Sequence, residues 1–213
     1  MDMKYAFPQI VFVAVEHLLR PLVNAYNRVR VKWLCWRYGI VADKNVRIQG
    51  NVIIRTRFKG EIKLGKNVIL NSAPKTNLVG LLGPTILDTC GGGKIEFGDY
   101  SGASSVVISS HSGVTIGKYV KIGGNVRIFD HDFHALDPMI RRSYEDLKNV
   151  RTKPVLIDDD VFIGTNVIIL KGTHIGSRSI VAAGSVVLGL DIPADSMVKG
   201  NPAVVTCIKG KKN

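Results

Sequence analysis

Residues 129–154 gather the side chains in this sequence best able to move a proton. Asp130, His131, Asp132, His134, Asp137, Arg141, Arg142, Glu145, Asp146 and Arg151 all fall in this stretch, which holds two of the five histidines. An imidazole titrates near neutrality, and a neighbouring carboxylate fixes its tautomer and raises its basicity. Two histidines among carboxylates therefore suit general-base chemistry, in which a proton is taken from a hydroxyl as it attacks an electrophile. Histidines that merely pack are common, but these two share one long polar segment, and long segments between regular elements usually carry function. Asp130, Asp132 and Asp137 are each able to orient an imidazole, and their spacing does not choose among them.

The elements that must position this segment follow from a repeat. Every sixth residue from Ile157 is branched and apolar: Ile157, Ile163, Ile169, Ile175, Val181 and Val187. Small or acidic residues follow most of them (Asp158, Gly164, Gly176, Ala182). A helix repeats near 3.6 and a strand near 2, so a sustained period of six predicts short strands joined by corners into a three-sided coil. The same frame runs through Ile40, Val46, Val52, Phe58, Leu64 and Leu70, breaks over residues 71–94, resumes at Phe97, slips over residues 109–113, and locks again at Ile116, Ile122 and Ile128. The fold expected is all-β, a parallel β-helix over residues 39–208, with 129–154 as a loop thrown out from it and 209–213 as a basic tail.

Residues 1–38 differ in kind. Ile10, Val11, Val13, Leu18 and Leu22 are spaced as in a helix, Pro21 is expected to kink or break it, and a second helix follows over Val29–Tyr38 with Arg30, Lys32, Trp33, Trp36 and Arg37. This segment is read as a cap on the coil, a contact with another subunit, or an interfacial membrane anchor.

The formal charge of +12 calls for an anionic partner: a phosphorylated co-substrate or an acidic membrane surface. Nucleic acid ranks last, because the basic residues are scattered over the repeats without an aromatic-interleaved cluster. Cys35, Cys90 and Cys207 form no Cys-x-x-Cys pair, which fits a reducing compartment and neither a zinc knuckle nor a disulfide framework. The apolar run Phe7–Leu19 is short for a spanning helix and shows no clear cleavage site, so a cytoplasmic protein is expected, peripheral at most at the inner membrane face.

The hexapeptide frame, the segments His134–Arg141, Phe162–Val167 and Ala182–Val187, and the ending Gly200–Ala203 resemble the left-handed β-helix acyltransferases. Within them the sequence is most similar to the galactoside, maltose and streptogramin acetyltransferases and to the O-acetyltransferases of bacterial polysaccharide synthesis. The resemblance covers about residues 40–208 and implies a left-handed coil, a homotrimer with active sites between subunits, and acetyl-CoA as co-substrate without a metal. It implies His134, with Arg141 at the family's spacing, as the general base. It places the acceptor against His131, Asp130, Asp132, Ser105 and Arg141. For the donor it implies Gly164, Thr165, Ala183, Gly184, Ser185, Asn201 and Pro202, the glycines and Ser185 keeping the surface low. Leu188–Leu190 and Val204 depart from the relatives' pattern, which leaves the phosphates of the donor to Lys199, Lys209 or the tail lysines. Ser105 stands where some relatives place an acceptor-binding asparagine.

The function expected is transfer of an acetyl group to a saccharide hydroxyl in surface polysaccharide synthesis. A xenobiotic or small free sugar is the alternative acceptor. Other classes are a non-catalytic scaffold and a γ-class carbonic anhydrase. The last needs three zinc-binding histidines; His131 and His134 are too closely spaced for its loop, and no obvious third ligand sits one coil earlier in frame, His111 being the one to propose.

Overall fold

The computed structural model describes residues 7–208. One long helix, α1 (Phe7–Tyr38), precedes a run of strands of two to four residues each. Successive strands fall in three different sheets, and the chain returns to the same sheet every third strand. The first sheet contains Val41–Ala42, Ile62–Leu64, Ile95–Phe97, Val114–Ile116, Val155–Ile157, His174–Ile175 and Asp191–Ile192. The second runs from Arg47–Gly50 to Ser196–Lys199, and the third from Val52–Arg55 to Val186–Val187. Among the described residues the strands of these sheets pair in parallel except where Val204–Cys207 folds back on Ser196–Lys199.

Side chains that alternate along a strand point to opposite faces, so each short strand offers its central or last residue to the interior. Ile116, Ile157, Ile175 and Ile192 form one buried file, Ile122, Ile163, Val181 and Val198 a second, and Ile108, Ile128, Ile169 and Val187 a third. Each such side chain contributes about 1.5–3 kcal/mol when fully buried. A further inward position lies at the corners, where Val120, Val126, Val161 and Val167 are buried with Ser179 and Ser185. There the hydroxyls are satisfied by backbone, as in Ser179 Oγ to the Pro193 carbonyl at 3.1 Å.

Two expectations are corrected, and the stretch that broke the frame takes a definite form. The helix is continuous through Pro21 rather than divided in two. A proline removes one backbone donor and crowds one carbonyl, and the bonded turns on both sides carry the helix across that loss. Phe58 is exposed although it falls in the six-residue frame, because residues 56–61 make a wide corner and Ile54 takes the inward place. The irregular stretch 71–94 contains an ordinary strand, Thr85–Asp88, paired in register with Val52–Arg55 and with Val107–Ser109. Two corner excursions, residues 73–84 and 89–94, hid it from a count of six.

The loop 129–154 leaves without disturbing the stack. Ile128 pairs with Ile169 across it, and Val114 with Val155. The C-terminal part of α1 seats Val31 and Leu34 against the first coil, and the Arg30 guanidinium donates to the carbonyls of Ile48 and Gly50.

Candidate active site

The loop starts where the strand Arg127–Phe129 ends, at the corner between the third and first sheets. Asp130 is wholly buried there. Its carboxylate accepts the backbone N–H groups of His111 (2.7 Å), Ser112 (2.8 Å) and Gly113 (2.6 Å) and the Ser110 hydroxyl (2.8 Å), and meets His131 Nδ1 at 3.2 Å. Burial by itself would raise its pKa, but the hydrogen bonds from His131, His111, Ser110 and Ser112 outweigh it and hold the carboxyl far below the usual carboxylate range. The His131 ring lies parallel to that of His111 with centroids 3.6 Å apart, and its side chain is 1 % exposed. Asp130 and His131 therefore build the corner from which the loop springs, with no surface to offer an acceptor. Among the described residues no three His, Cys, Asp or Glu groups are placed to share a metal ion.

The neck is closed by an antiparallel bridge between His131 and Thr152 and by Lys153 N–H to the Asp130 carbonyl at 2.9 Å. Asp132 clamps it further, accepting from Arg151 Nε at 3.2 Å and from Lys171 on a neighbouring coil. Those two cations hold its carboxyl below the ordinary range against the opposing effect of burial. Phe133 then adopts a left-handed conformation (φ 66°) with its ring edge-on to Phe129 at 4.9 Å. This reversal is costly for a bulky residue, on the order of 1–3 kcal/mol, and it turns the chain outward at His134.

His134 is exposed, and its Nδ1 lies 2.7 Å from Asp146 Oδ2. The other Asp146 oxygen accepts the Ala135 N–H at 2.7 Å. The bond from His134, then that from Ala135, keeps the Asp146 carboxyl below the ordinary range. A carboxylate at Nδ1 requires the proton on that nitrogen and leaves the Nε2 lone pair to accept another. So the orienting carboxylate is none of Asp130, Asp132 and Asp137. Asp137 instead caps the short helix Pro138–Arg141, accepting the Met139 N–H at 2.7 Å. Arg141 donates to the carbonyls of Ala135 (3.2 Å) and Leu136 (3.3 Å), pinning the turn that follows His134. Asp146 starts a 3₁₀ turn, Asp146–Asn149, and only the folding of the loop on itself brings it back. Nothing in a six-residue period marks it.

The residues expected to bind the donor collect on a different edge, between the second and third sheets. Thr165, Ala183 and Gly184 occupy successive coils, with Gly184 N–H bonded to the Thr165 carbonyl at 2.9 Å, and Asn201 and Pro202 follow beneath. Ala183, Gly184, Lys199, Asn201 and Pro202 are exposed. The chain turns this edge through left-handed residues, Asn125 (φ 62°), Asn166 (φ 57°) and Gly184 (φ 72°). Two members of the expected set face inward. A Cβ on Gly164 would stand 2.6 Å from Ala183 N, so its bare backbone admits the next coil and not a ligand. Ser185 is buried, donating to the Ala182 carbonyl at 2.7 Å. Ser105 is buried on the same edge and donates to the Gly83 carbonyl at φ 46°. It is a corner residue. Lys209 and the tail lysines lie outside the described residues.

Residues 154–189 match the family model described as bacterial transferase hexapeptide (six repeats). Over 154 residues the chain is 36 % identical to a putative lipopolysaccharide biosynthesis O-acetyl transferase, WbbJ, of Escherichia coli (strain K12), covering 70 % of this chain and 72 % of that one. The chain belongs to the hexapeptide-repeat acetyltransferase family. A solved hexapeptide-repeat acetyltransferase of Vibrio cholerae O1 biovar eltor, complexed with acetyl-CoA, is 28 % identical, with a TM-score of 0.54 over 83 % of this chain and 74 % of that one. The N-acyltransferase AntD of Bacillus cereus, solved with dTDP and 3-hydroxybutyryl-CoA, superposes with a TM-score of 0.64 over 86 % of this chain and 88 % of that one. At 22 % identity it speaks to the fold alone. In this hexapeptide-repeat enzyme, then, an exposed imidazole held by a carboxylate and an open edge of small residues sit on two separate corners of the same stack.

Proposed function

We propose that this enzyme transfers an acetyl group from acetyl-CoA to a saccharide hydroxyl, with His134 as general base, on a left-handed β-helix assembled as a homotrimer. The observation that carries the reading is His134 itself: exposed, on a braced loop, with Nδ1 engaged by Asp146 and Nε2 available. The O-acetyl transferase named among its relatives supports oxygen over nitrogen as the acceptor atom.

The edge formed by Thr165, Ala183, Gly184, Asn201 and Pro202 fits the donor's pantetheine arm, because it is open and bears little side chain. Exposed Lys199 beside it suits a phosphate. Acetyl-CoA supplies an activated acyl carbon with a thiolate as its leaving group, so no protein nucleophile is needed. His134 Nε2 takes the proton of the attacking hydroxyl as the oxygen adds to the carbonyl carbon. Asp146 stabilises the imidazolium that results, and His134 then returns the proton to the departing sulfur. Arg141 holds the backbone of the turn and has exposed surface left for the acceptor.

Because His134 and the donor edge lie on different corners, a second subunit is the natural source of the missing half. Exposed apolar side chains on excursion 73–84 (Leu78 and Leu82) and on loop 129–154 (Tyr144 and Leu147) suit such a contact. Acetyl-CoA is an intracellular metabolite, which puts the reaction on the cytoplasmic side.

The test follows free thiol released from acetyl-CoA with a panel of oligosaccharide and sugar-nucleotide acceptors, alongside the mass of the assembly in solution. Acceptor-dependent thiol release by a trimer, lost in His134→Ala, is expected. Full turnover by His134→Ala, or no release with any saccharide, overturns the reading.

A further inference from the structure

Beyond its seat on the first coil, α1 exposes a face that the transferase reading does not use. Leu18, Leu22, Tyr26, Val29, Trp33 and Trp36 are all exposed, between 54 % (Trp33) and 79 % (Trp36). At about 100° per residue they fall within about 80° of arc, in a stripe about 27 Å long. The opposite face carries the buried Val31 and Leu34. Exposed Arg28 and Lys32 flank the stripe on one side and exposed Arg37 on the other. The sequence has no Asp or Glu from His17 to Ala42. At the stripe's C-terminal end, Trp36 and Arg37 line a cleft with Arg55, Arg57, Phe58 and Lys59.

Charge decides what covers this face. A second copy of α1 laid parallel against it would bring Arg28, Lys32 and Arg37 toward their own equivalents, and in either direction the cations outnumber the one helical carboxylate, Glu16, whose position falls off the stripe. An anionic surface pairs all three at once. A one-sided apolar stripe edged by cations, with tryptophans in it, is the arrangement of a helix lying in the plane of a lipid interface. No helix among the described residues is long and apolar enough to cross a membrane.

We propose that the exposed face of α1 docks on an anionic phospholipid bilayer, Trp33 and Trp36 reaching into the headgroup region and Arg28, Lys32 and Arg37 binding lipid phosphates. The end of the stripe lies on a functional edge of the coil. Thr56 and Arg57 line the cleft with Trp36, and Cys90, His111 and the neck of loop 129–154 follow on successive coils of that corner. Three coil spacings of about 4.8 Å put the bilayer contact about 15 Å from the root of the His134 loop.

The two tryptophans of the chain, Trp33 and Trp36, are both on this face, so their emission reports its environment directly. The full chain is mixed with phosphatidylcholine vesicles with and without phosphatidylglycerol, and co-sedimentation and emission maximum are read. Expected are pelleting and a blue shift with the anionic vesicles only, weakening as salt rises. Binding should be at least about tenfold weaker in Leu18→Glu/Leu22→Glu and in Arg28→Glu/Lys32→Glu. Absence of binding, equal binding to neutral vesicles, or a blue shift that follows protein concentration without lipid, which would mean that a second copy covers the stripe, overturns the proposal. Thiol release to a dissolved acceptor, read in parallel, stays at the wild-type level in both variants. Failure of membrane docking is thereby told apart from failure of the transferase reading.

Discussion

His134 and Asp146 are twelve positions apart in the chain and meet at 2.7 Å, Nδ1 to Oδ2. The second Asp146 oxygen takes the Ala135 N–H, so one carboxylate grips both the ring and the backbone beside it. This double hold sets the direction in which Nε2 points, on a loop that otherwise has few buried contacts.

Replacing the base and replacing its holder should therefore differ in degree. His134→Ala is expected to lower kcat by about 100-fold or more, in keeping with the usual worth of a general base, with KM for acetyl-CoA little changed. Asp146→Asn keeps the ring but loses the charged acceptor, and is expected to lower kcat by about tenfold with the same KM. Asp146→Glu should recover part of the loss. Steady-state kinetics of the three variants measures this, and a rise in KM without a fall in kcat would make Asp146 merely structural.

Asp130 is a matter of stability. Asp130→Ala strands three backbone N–H groups and the Ser112 hydroxyl at the root of the loop, while the Ser110 hydroxyl keeps the Lys94 carbonyl. A loss of about 3–5 kcal/mol is expected from denaturant midpoints. The folded pKa is depressed, so the stabilisation is complete above the unfolded carboxylate value, near about 4, and is lost only as pH falls through the lower folded value. Wild type and Asp130→Asn should converge in stability at strongly acidic pH.

His174 gives the opposite slope. Its Nδ1 is 2.9 Å from Asp191 and its Nε2 3.1 Å from Asp158, joining three successive coils. Partial burial works against the charged ring, but the two carboxylate bonds prevail and raise its pKa. The stabilisation is therefore full below the unfolded value of about 6.5 and is lost as pH rises through the higher folded value. Melting temperature should fall over that window in wild type and fall less in His174→Asn.

Glycines separate into two kinds. Gly164→Ala forces a Cβ to 2.6 Å from Ala183 N, and a cost of about 1–3 kcal/mol is expected as the coils part. Gly113 has open space where its Cβ would stand and no left-handed backbone, so Gly113→Ala should change stability by less than about 0.5 kcal/mol. Chemical denaturation of both variants decides the matter.

The sequence by itself determined the coil. Ile157, Ile163, Ile169, Ile175, Val181 and Val187 are all buried because a period of six returns a branched side chain to the interior on each face, a local rule that needs no knowledge of the rest. The same rule made loop 129–154 visible as the place where it stops. What the period could not assign were residues whose neighbours come from other coils. Asp130 and His131 looked like site residues by type, yet stacking buries them against His111 and the Ser110–Gly113 corner. Gly164 and Ser185 looked like open surface, yet one admits the next coil and the other closes its own corner. Phe58 kept the frame and lost the core, because the corner from Ile54 to Leu64 spans ten residues where the frame allows six, and turns it out. Asp146 had no periodic mark, since its partner is chosen by how the loop closes. Spacing along a chain fixes which way a side chain faces within its own strand; which atoms it then meets is settled by the coil above, the coil below, and the path of the loop between them.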